Sequence, residues 1–512
     1  MSFLPKRPVA PLQRSRIEIL KKKSLWISAG VALVTALALA GCGDTYYFAG
    51  RTLPPSGLPN RVLIAVQNPG TLSKGVLEIV DAYYDIRSSF TASGPSTFSI
   101  SGFGGALPIT IQNMPEEQFG AVYGSGDGSF SLINYEQEKT ISTIRTLPDP
   151  SSSVFITRNS TWVFAASQEA HTLTVQNAST GASAGLSLPN IFRVSVNPAG
   201  SVALAFVQNS PYVYYPHQLT AAQGIAYAGG PSTWPKAAVD CEPQNAPTWC
   251  LFQMQSPDNH YLDAAGITEY YGAPLTFDHP IKAVFSSDGS TAYILSCGPE
   301  CGGTTSSFTP VPIAPMIFLA DQYSGQLPTP SALAKATVPI PGGASNALVD
   351  ASTMYITGQQ PQQVNNQTLF AGHLTVVNLA NNSIVSTAAV SDGTPGAMSR
   401  IILDDDNTLW IAMTGCTTGV RYATQAPGGY GCLTMYNTST NTVTLIEPYI
   451  GDATGLAAVT GLHKLYAVEG GQVYIFSTTD GSSIDNEFVT VTGTAADVAY
   501  MDADNDIDNT VY

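Results

Sequence analysis

Phe285-Ser-Ser-Asp-Gly-Ser-Thr-Ala-Tyr293 joins the end of one apolar strand to the start of another through a short polar turn. The same arrangement recurs in Val196-Asn-Pro-Ala-Gly-Ser-Val-Ala-Leu204, in Leu403-Asp-Asp-Asp-Asn-Thr-Leu-Trp410 and in Val349-Asp-Ala-Ser-Thr-Met-Tyr355. Asn, Asp or Ser opens such a turn by hydrogen bonding to the nearby backbone, and Gly or Asn supplies its left-handed position. The repeat therefore predicts a series of antiparallel β-hairpins.

A second hairpin pattern follows the first, and it consists of an alternating strand, an Asn or Asp turn and a further strand. Clear examples begin with Leu374-Thr-Val-Val-Asn378, Leu433-Thr-Met-Tyr-Asn437 and Leu173-Thr-Val-Gln-Asn177. Two hairpins make a four-stranded unit, and successive first turns are about 40 residues apart where no insertion intrudes. A unit of this size and strand content is typical of a β-propeller blade.

These repeats predict an all-β protein that folds as a single β-propeller of four-stranded blades over residues 60–512. The number of turns favours eight blades, and seven is the alternative, because residues 226–280 form a long insertion and residues 60–110 are irregular. Residues 495–512 resemble the opening of another blade, whereas Arg61-Val-Leu-Ile-Ala-Val-Gln67 lacks a partner strand. We therefore expect the C-terminal and N-terminal strands to pair and close the ring, which removes exposed edges.

The pairing of an Asp-Gly turn with an Asn turn resembles the YVTN-type, lactonase-like β-propeller repeats of exported bacterial proteins. Ala292-Tyr-Ile-Leu295 and Met354-Tyr-Ile-Thr357 come nearest to the tetrapeptide that names this family, and the tetrapeptide itself does not occur in the chain. The resemblance covers residues 60–512. It implies a propeller, and because related propellers include lactonases and quinone-dependent dehydrogenases, it leaves the activity open.

The N-terminal residues have the organisation of an export signal. Lys21-Lys-Lys23 precede the apolar run Leu25–Ala40, which is shorter than a membrane span of about 20 residues. Leu39-Ala-Gly-Cys42 then resembles the bacterial lipobox at all four positions. The resemblance implies that residues 1–41 are a lipoprotein signal peptide, that Cys42 receives a diacylglyceryl group, and that its new amine is acylated, for example with palmitate.

Residues 42–59 follow as a lipidated tether in which several prolines occur. Because Gly43 and not Asp follows the cysteine, the sorting rule for bacterial lipoproteins favours the outer membrane, with the protein facing the periplasm or the outside. The alternative is a plain signal peptide with an incidental cysteine. The basic region before the apolar run is long, which leaves a start codon downstream of Met1 as an open alternative.

Six cysteines remain when Cys42 is set aside, and an even number behind an export signal predicts disulfide bonds. Six cysteines allow 15 pairings, and their clustering along the chain favours three local ones. A metal site is the alternative, and the absence of a further Cys or His at zinc-ligand spacing disfavours it. The disulfide candidates are Cys241 with Cys250, Cys297 with Cys301 and Cys416 with Cys432.

The charge of the chain excludes one class of partner. Residues 1–41 hold seven basic side chains and one acidic side chain, so the rest of the chain has 14 basic and 36 acidic side chains and a net charge of −22. Such a surface repels phosphate backbones, and we therefore expect no nucleic-acid partner.

The best ion candidate is an alternating acidic stretch near the C-terminus. Asp502, Asp504, Asp506 and Asp508 together offer several oxygens to one calcium ion, as this hard cation requires. The stretch lacks the turn glycine and the distal Glu of the helical calcium loop, and a solvated acidic turn is the alternative. The turn at residues 404–406 carries three further aspartates and is a weaker candidate. No other cofactor is predicted.

For function, the sequence favours an envelope binding or scaffold lipoprotein whose propeller face holds a protein, a peptide or a glycan, with the membrane as a partner through Cys42. The aromatic insertion at 226–280 is a candidate for that face, and a cap packed on a blade is the alternative. A lactonase or a quinone-dependent dehydrogenase is the second hypothesis, although Arg and His are sparse after residue 41 and no catalytic residue is assigned. A structural or surface-adhesion role is the third.

Overall fold

The computed structural model describes residues 54–91, 94–144, 147, 151–226, 228, 238–242, 248–254, 260–262, 268–270, 274–313, 336–396, 398–426, 428–484 and 488–503. These residues belong to a compact unit that begins at Pro54. The predicted signal peptide 1–41 and the lipidation candidate Cys42 lie outside them. No helix in the described part of the chain combines the length and the hydropathy that crossing a bilayer requires.

The described residues form eight blades in a ring, and each blade is an antiparallel sheet whose strands we label A to D from the central channel outward. Strands A to D are, in blade 1, Thr494–Tyr500, Arg61–Asn68, Lys74–Asp81 and the edge residues 98–100; in blade 2, Pro108–Met114, Phe119–Gly124, Ser129–Asn134 and Lys139–Ile144; in blade 3, Ser153–Ile156, Trp162–Ser167, Thr172–Asn177 and Ser183–Ser187; and in blade 4, Ile191–Val196, Ala203–Val207, Val213–Gln218 and Trp249–Gln253.

The remaining four blades repeat the same order. Their strands are, in blade 5, Pro280–Phe285, Thr291–Ser296, Ser307–Pro312 and Val338–Pro339; in blade 6, Asn346–Asp350, Thr353–Val364, Gln367–Asn378 and Ser383–Ala389; in blade 7, Met398–Leu403, Thr408–Met413, Leu433–Asn437 and Thr442–Ile446; and in blade 8, Ala453–Val459, Lys464–Glu469, Gln472–Ser477 and an edge bridged at Ser483 and Val489.

Smaller elements occur in the connections between strands. They are the hairpins Ser88–Thr91 with Gly94–Thr97 and His260–Leu262 with Thr268–Tyr270, the helices α1 (Ala221–Ala226) and α2 (Val420–Thr424), and the 3₁₀ turns Pro115–Glu117 and Gly298–Cys301.

The hairpin turns have the chemistry that the repeats predict. Gly289 and Asn407 adopt φ angles of 68° and 60°, in the left-handed region that each turn requires. In the turn of blade 5, the carboxylate of Asp288 accepts the backbone N–H of Ser290 at 3.0 Å. The first turns join strand A to strand B in blades 4, 5 and 7, which confirms the predicted hairpins.

Pairing of the two terminal strands closes the ring. Thr494–Tyr500 lies antiparallel to Arg61–Asn68, with Val62 opposite Tyr500 and Gln67 opposite Thr494. Residues from the two ends of the described chain therefore share blade 1, and the structure confirms eight blades closed in the predicted way. Closure gives strand B of blade 1 a backbone partner on each side.

A buried ion pair lies beside this closing sheet. The Asp502 carboxylate accepts hydrogen bonds from Arg61 Nη2 at 2.5 Å, from Arg61 Nε at 2.9 Å and from the Arg61 backbone N–H at 2.8 Å. The same guanidinium donates through Nη1 to the carbonyl oxygen of Tyr135 at 2.6 Å and to the Glu138 carboxylate at 3.1 Å. Since all three charged side chains are buried, one cation joins blade 1, blade 2 and the C-terminal segment.

The core lies between the faces of neighbouring blades. Thr408–Met413 is buried along its whole length, and Trp410 packs against Phe476 of blade 8 with ring centroids 5.9 Å apart. The Trp410 indole N–H donates to Asp404 at 2.9 Å, so the polar edge of this large ring is satisfied inside the core. Such strands are apolar on both faces because each blade is covered on both sides.

Blade 4 departs from the four-stranded pattern because part of the predicted insertion joins it. Trp249–Gln253 forms strand D, and Ala238–Cys241 adds a fifth, outermost strand. Trp249 is buried and packs edge to face on Trp162 of blade 3, with ring centroids 4.9 Å apart. This stretch of the insertion therefore extends a blade, and Trp249 belongs to the core instead of an exposed binding face.

The three predicted disulfides are present. Their Cα–Cα distances are 4.0 Å for Cys241–Cys250, 5.8 Å for Cys297–Cys301 and 5.5 Å for Cys416–Cys432. The first joins the two outer strands of blade 4, and the other two hold the loops between strands B and C in blades 5 and 7. Each bond therefore stabilises one blade locally and none links two blades.

The segment predicted as a tether partly contacts the propeller. The backbone N–H of Ser56 donates to Glu138 at 2.8 Å, and the Leu58 side chain is buried in the core between blades 1 and 2. Ser56 thereby also satisfies the carboxylate that binds Arg61. Residues 42–53 of the predicted tether lie outside the described residues.

Replacing Asp502 with Asn removes the main partner of the buried Arg61 charge. Breaking a buried ion pair from one side costs about 3 kcal/mol or more, so we expect Asp502→Asn to lower the free energy of unfolding by that amount. Glu116→Gln is the control, because it breaks a half-exposed pair with Arg158 and should cost less than about 1 kcal/mol. Chemical denaturation measures both variants, and equal losses would contradict the importance of the Arg61–Asp502 pair.

Candidate functional site

Strand A of each blade lines the central channel, and most of these strands carry a β-bulge near their start. In blades 1, 2, 4, 5, 7 and 8 the pairing of strand A with strand B skips one residue. A bulge re-aims the side chains beside it. The residue after the bulge therefore occupies an equivalent place in six blades.

These residues and their equivalents in blades 3 and 6 form a ring with one member per blade, which we call the channel ring. In blade order its members are Asp497, Thr110, Ser153, Arg193, Lys282, Asn346, Arg400 and Gly455. Three members are basic side chains and one is a carboxylate. Because the chain after residue 41 has only 14 basic side chains against 36 acidic ones, the channel concentrates positive charge inside an acidic protein.

Two cavities lie along the channel. The upper cavity, at the end where the A strands begin, has a volume of about 270 Å³, and six channel-ring members line it. The lower cavity, at the end where the A strands finish, has a volume of about 210 Å³. Lys282, Phe155 and Val194 border both cavities, so Lys282 lies where the two meet.

Within the described part of the chain, one of these three basic side chains has a carboxylate partner. Arg400 Nη2 donates to Asp497 Oδ2 at 2.7 Å, and the same oxygen accepts the backbone N–H of Ile111 at 2.8 Å. Burial raises the pKa of Asp497, and the Arg400 charge and these hydrogen bonds oppose that rise. Arg400 therefore contributes a partly neutralised charge to the upper cavity.

Lys282 is buried, with 6% of its surface exposed, and its partner is neutral. Its Nζ donates to Asn346 Oδ1 at 2.6 Å, an oxygen that also accepts the backbone N–H of Ala347 at 2.9 Å. Burial, together with the positive charges of Arg193 and Arg400, lowers the pKa of Lys282 well below its ordinary value. These surroundings favour the uncharged amine.

Arg193 completes the cationic side of the ring. Its guanidinium carbon lies 5.7 Å from the centre of the Phe192 ring, in the arrangement of a cation–π contact. Burial lowers the pKa of Arg193. Among the described residues, neither Arg193 nor Lys282 has a carboxylate within salt-bridge distance.

Hydrogen bonds between neighbouring A strands hold the ring in place. Gln112 of blade 2 donates to the carbonyl oxygen of Ile156 at 2.7 Å and accepts its backbone N–H at 2.8 Å. Ser195 of blade 4 accepts the backbone N–H of Ala283, next to Lys282, at 3.1 Å. The strands that carry the cations are thus fixed before any ligand arrives, which is the arrangement that favours tight binding.

The structure describes one of the four predicted calcium ligands. Asp502 is buried, and both of its carboxylate oxygens bind Arg61. Asp504, Asp506 and Asp508 lie outside the described residues, so the calcium site stays a prediction.

In the second acidic turn, the central aspartates point toward a histidine of blade 8. The donor atoms of Asp405, Asp406 and His463 lie within 4.8 Å of one another, and His463 Nδ1 is 2.9 Å from Asp406 Oδ2. Asp404 faces the core instead, and burial raises its pKa to about 6 against the opposing hydrogen bonds from Thr408.

The sequence analysis did not identify the channel ring, although a signal for it exists. Arg193, Lys282 and Arg400 each stand four residues before the polar residue that opens the first turn of their blade. Once the repeats are aligned on that turn, the three cations fall at one position. That this position lies on the channel wall becomes apparent only in the folded ring.

Comparison with known proteins identifies no family for this chain and finds solved structures of low similarity. No family model matches the chain, and no curated protein does. Among solved structures, the chain is similar to the dihydro-heme d1 dehydrogenase NirN, with a TM-score of 0.47, 10% identity and coverage of 89% of this chain and 80% of that one.

Two further structures show the same level of similarity. AztD from Citrobacter koseri has a TM-score of 0.45 and 10% identity, with coverage of 86% of this chain and 97% of that one. The hydrazine synthase of Kuenenia stuttgartiensis has a TM-score of 0.43 and 12% identity, with coverage of 73% and 96%. Such values say nothing about what this chain binds, so its function has to come from its own side chains.

A buried carboxyl group lies outside the channel ring, at the end of strand B in blade 8. Glu469 is fully buried, and neither of its carboxylate oxygens has a hydrogen-bond partner among the described residues. Burial, with a smaller contribution from the charge of Glu447, raises the pKa of Glu469 to about 8. The folded protein therefore keeps this group protonated at neutral pH.

We expect Glu469→Gln to stabilise the protein at neutral and higher pH. The carboxyl ionises near pH 4.5 in the unfolded chain but near pH 8 in the folded one, so the unmodified protein loses stability as the pH rises between these values. Gln carries no proton to lose, and the gain should be about 4 kcal/mol at pH 7.5. Denaturant titrations across this pH range measure it, and a gain that does not grow with pH would contradict the assignment.

Proposed function

We propose that this protein is an exported, lipid-anchored binding protein that holds a small anionic molecule in the upper cavity of its channel. The observation that carries the proposal is the channel ring, in which Arg193 and Lys282 converge without a carboxylate partner among the described residues. Charged side chains on a surface keep many proteins soluble. Charged side chains inside a channel lose hydration and cost free energy, so solubility does not explain their presence there.

The energetics of the ring favour an anion. Cations that leave water and approach one another lose hydration and repel, which raises the free energy of the empty site. The lowered pKa of Lys282 arises from both effects. An anion supplies the missing opposite charge, and the guanidinium groups of Arg193 and Arg400 suit the paired oxygens of carboxylate and phosphate.

The size of the upper cavity limits the ligand. A volume of about 270 Å³ suits a small molecule and excludes a folded partner. Short carboxylates, acidic sugars and phosphates share the required chemistry. The proposal therefore keeps the binding role that the sequence predicts. It replaces the envelope protein, peptide or glycan of that prediction with a small anion.

Export and anchoring rest on the N-terminal sequence. The basic residues, the apolar run and Leu39-Ala-Gly-Cys42 support a lipoprotein signal, and several acyl chains on Cys42 bury enough methylene groups for stable membrane attachment. The three disulfides suit an oxidising compartment. We propose an outer-membrane location, with the propeller facing the periplasm or the outside.

Calorimetric titration of the full chain with phosphate, citrate and glucuronate tests the binding proposal, with glucose as the neutral comparison. We expect at least one anion to bind and glucose not to bind. Arg193→Gln should weaken that binding about 10-fold or more, equivalent to about 1.4 kcal/mol. Lys139→Gln is the control, because it removes an exposed charge from strand D of blade 2 and should leave the affinity unchanged. Equal affinities in the two variants would contradict the proposal.

Cys42→Ser tests the lipid anchor. We expect the unmodified chain to fractionate with membranes and to incorporate labelled palmitate, and we expect the variant to lose the label and to be released. Gly43→Ser is the control, because it keeps the thiol that receives the lipid. An unlabelled protein in cells that express the unmodified chain would contradict the lipoprotein assignment.

A further inference from the structure

We propose that Lys282 captures its ligand covalently, as a reversible imine between its amine and the carbonyl carbon of a 2-oxo carboxylate. The inference rests on the proposed anion-binding function and adds the reacting atom and the ligand class. A 2-oxo carboxylate carries its carboxylate on the carbon next to the carbonyl, so a single small molecule engages a cation and an amine together.

The position of Lys282 places its amine where a ligand in the channel meets it. The residue borders both the upper and the lower cavity, and its backbone follows the β-bulge of strand A in blade 5. Its side chain is buried in the channel wall, with Nζ held by the neutral Asn346 Oδ1 at 2.6 Å. A buried amine held by a neutral acceptor is free to exchange that bond for a reacting carbonyl.

The charged groups around Lys282 keep its amine in the nucleophilic form. They are Arg193 from blade 4 and Arg400 from blade 7, and the one carboxylate of the channel ring, Asp497 of blade 1, binds Arg400. Burial and the two guanidinium charges lower the pKa of Lys282 well below its ordinary value. A lysine desolvated beside other cations is one of the established ways to activate an amine toward carbonyl carbons.

Because the Lys282 amine is neutral, Arg193 and Arg400 supply the positive charge that binds the ligand's carboxylate. Both line the upper cavity together with Lys282. A carboxylate that binds a guanidinium there brings the adjacent carbonyl carbon toward Nζ, and this positioning accelerates the reaction relative to free lysine. By contrast, Lys74 and Lys139 are exposed on outer strands, away from the two arginines of the channel.

The imine forms and breaks without any oxidant or reductant. The electron pair of Nζ attacks the carbonyl carbon, and the carbonyl oxygen takes up a proton as nitrogen loses one, which gives a carbinolamine. The nitrogen electron pair then forms the C=N bond as the hydroxyl leaves with a proton as water. One water is released, and hydrolysis returns the lysine and the 2-oxo acid.

Reductive trapping of the full chain with pyruvate and sodium borohydride tests the proposal. Borohydride converts the imine into a stable secondary amine, and peptide mass spectrometry locates the adduct. We expect one pyruvyl adduct per chain, on the peptide that contains Lys282. Lys282→Arg should abolish it, because the variant has no amine at this position, and Arg193→Gln should slow it at least about 10-fold. Lys139→Arg is the matched control and should react as the unmodified chain does.

The outcomes separate this inference from the binding proposal. If phosphate or citrate binds in calorimetry but pyruvate leaves no adduct on Lys282, the imine is overturned and anion binding stands. If no anion binds and no adduct forms, both fail. Adducts spread equally over the exposed lysines would also overturn the inference. Thermal melting of Lys282→Arg shows whether this variant is folded, and the Arg193→Gln rate provides a second test if it is not.

Discussion

The pairing of the C-terminal strand Thr494–Tyr500 with Arg61–Asn68 is the constraint on which the rest of the structure depends. It brings together residues from the two ends of the propeller, and the buried Arg61–Asp502 ion pair reinforces it at the edge of the sheet. Without it, blade 1 has no inner strand, the edge of its strand B would be open to other chains, and the apolar cluster between blades 1 and 8 would lose the residues of the closing strand. The central channel exists only in the closed ring, and one member of the channel ring, Asp497, lies on the closing strand itself.

No covalent bond takes part in that closure. The three disulfides lie within blades 4, 5 and 7 and hold an outer strand pair and two loops. The ring therefore depends on backbone pairing, on the apolar faces between blades and on a few buried polar groups. Among these, Glu469 lowers stability because its carboxyl is buried without a hydrogen-bond partner among the described residues, whereas Asp502 raises it because its carboxylate meets a cation.

The exterior and the channel have opposite charge, and this contrast defines the function we propose. The excess of acidic residues outside does not prevent an anion from reaching the ring, because salt screens charges beyond about 8 Å at physiological ionic strength. Inside the channel, the guanidinium groups of Arg193 and Arg400 act on a bound anion over short distances, at which salt screens little. Burying these cations raises the free energy of the folded protein, and binding of an anion recovers that free energy. The residues that destabilise the empty channel are therefore the ones that we propose bind the ligand.

The sequence by itself determined the features that are local along the chain. The turns of the type seen at 285–293 indicated the hairpins, their spacing indicated eight blades, and neighbouring cysteines indicated their own pairing. The lack of a partner for Arg61-Val-Leu-Ile-Ala-Val-Gln67 indicated how the ring closes.

Only the tertiary structure decided which residues meet in the channel and which acids are buried. Arg193, Lys282 and Arg400 are far apart in sequence, and each is an unremarkable basic residue near the start of a strand. They converge because every blade points its strand A at the same axis, and a β-bulge in blades 4, 5 and 7 places these three side chains at the same level. By sequence, Asp502 is one aspartate of an acidic run. In the closed ring it lies against Arg61, which is distant in sequence. Burial and charge pairing could not be read from the sequence, because both depend on residues that become neighbours only when the chain folds.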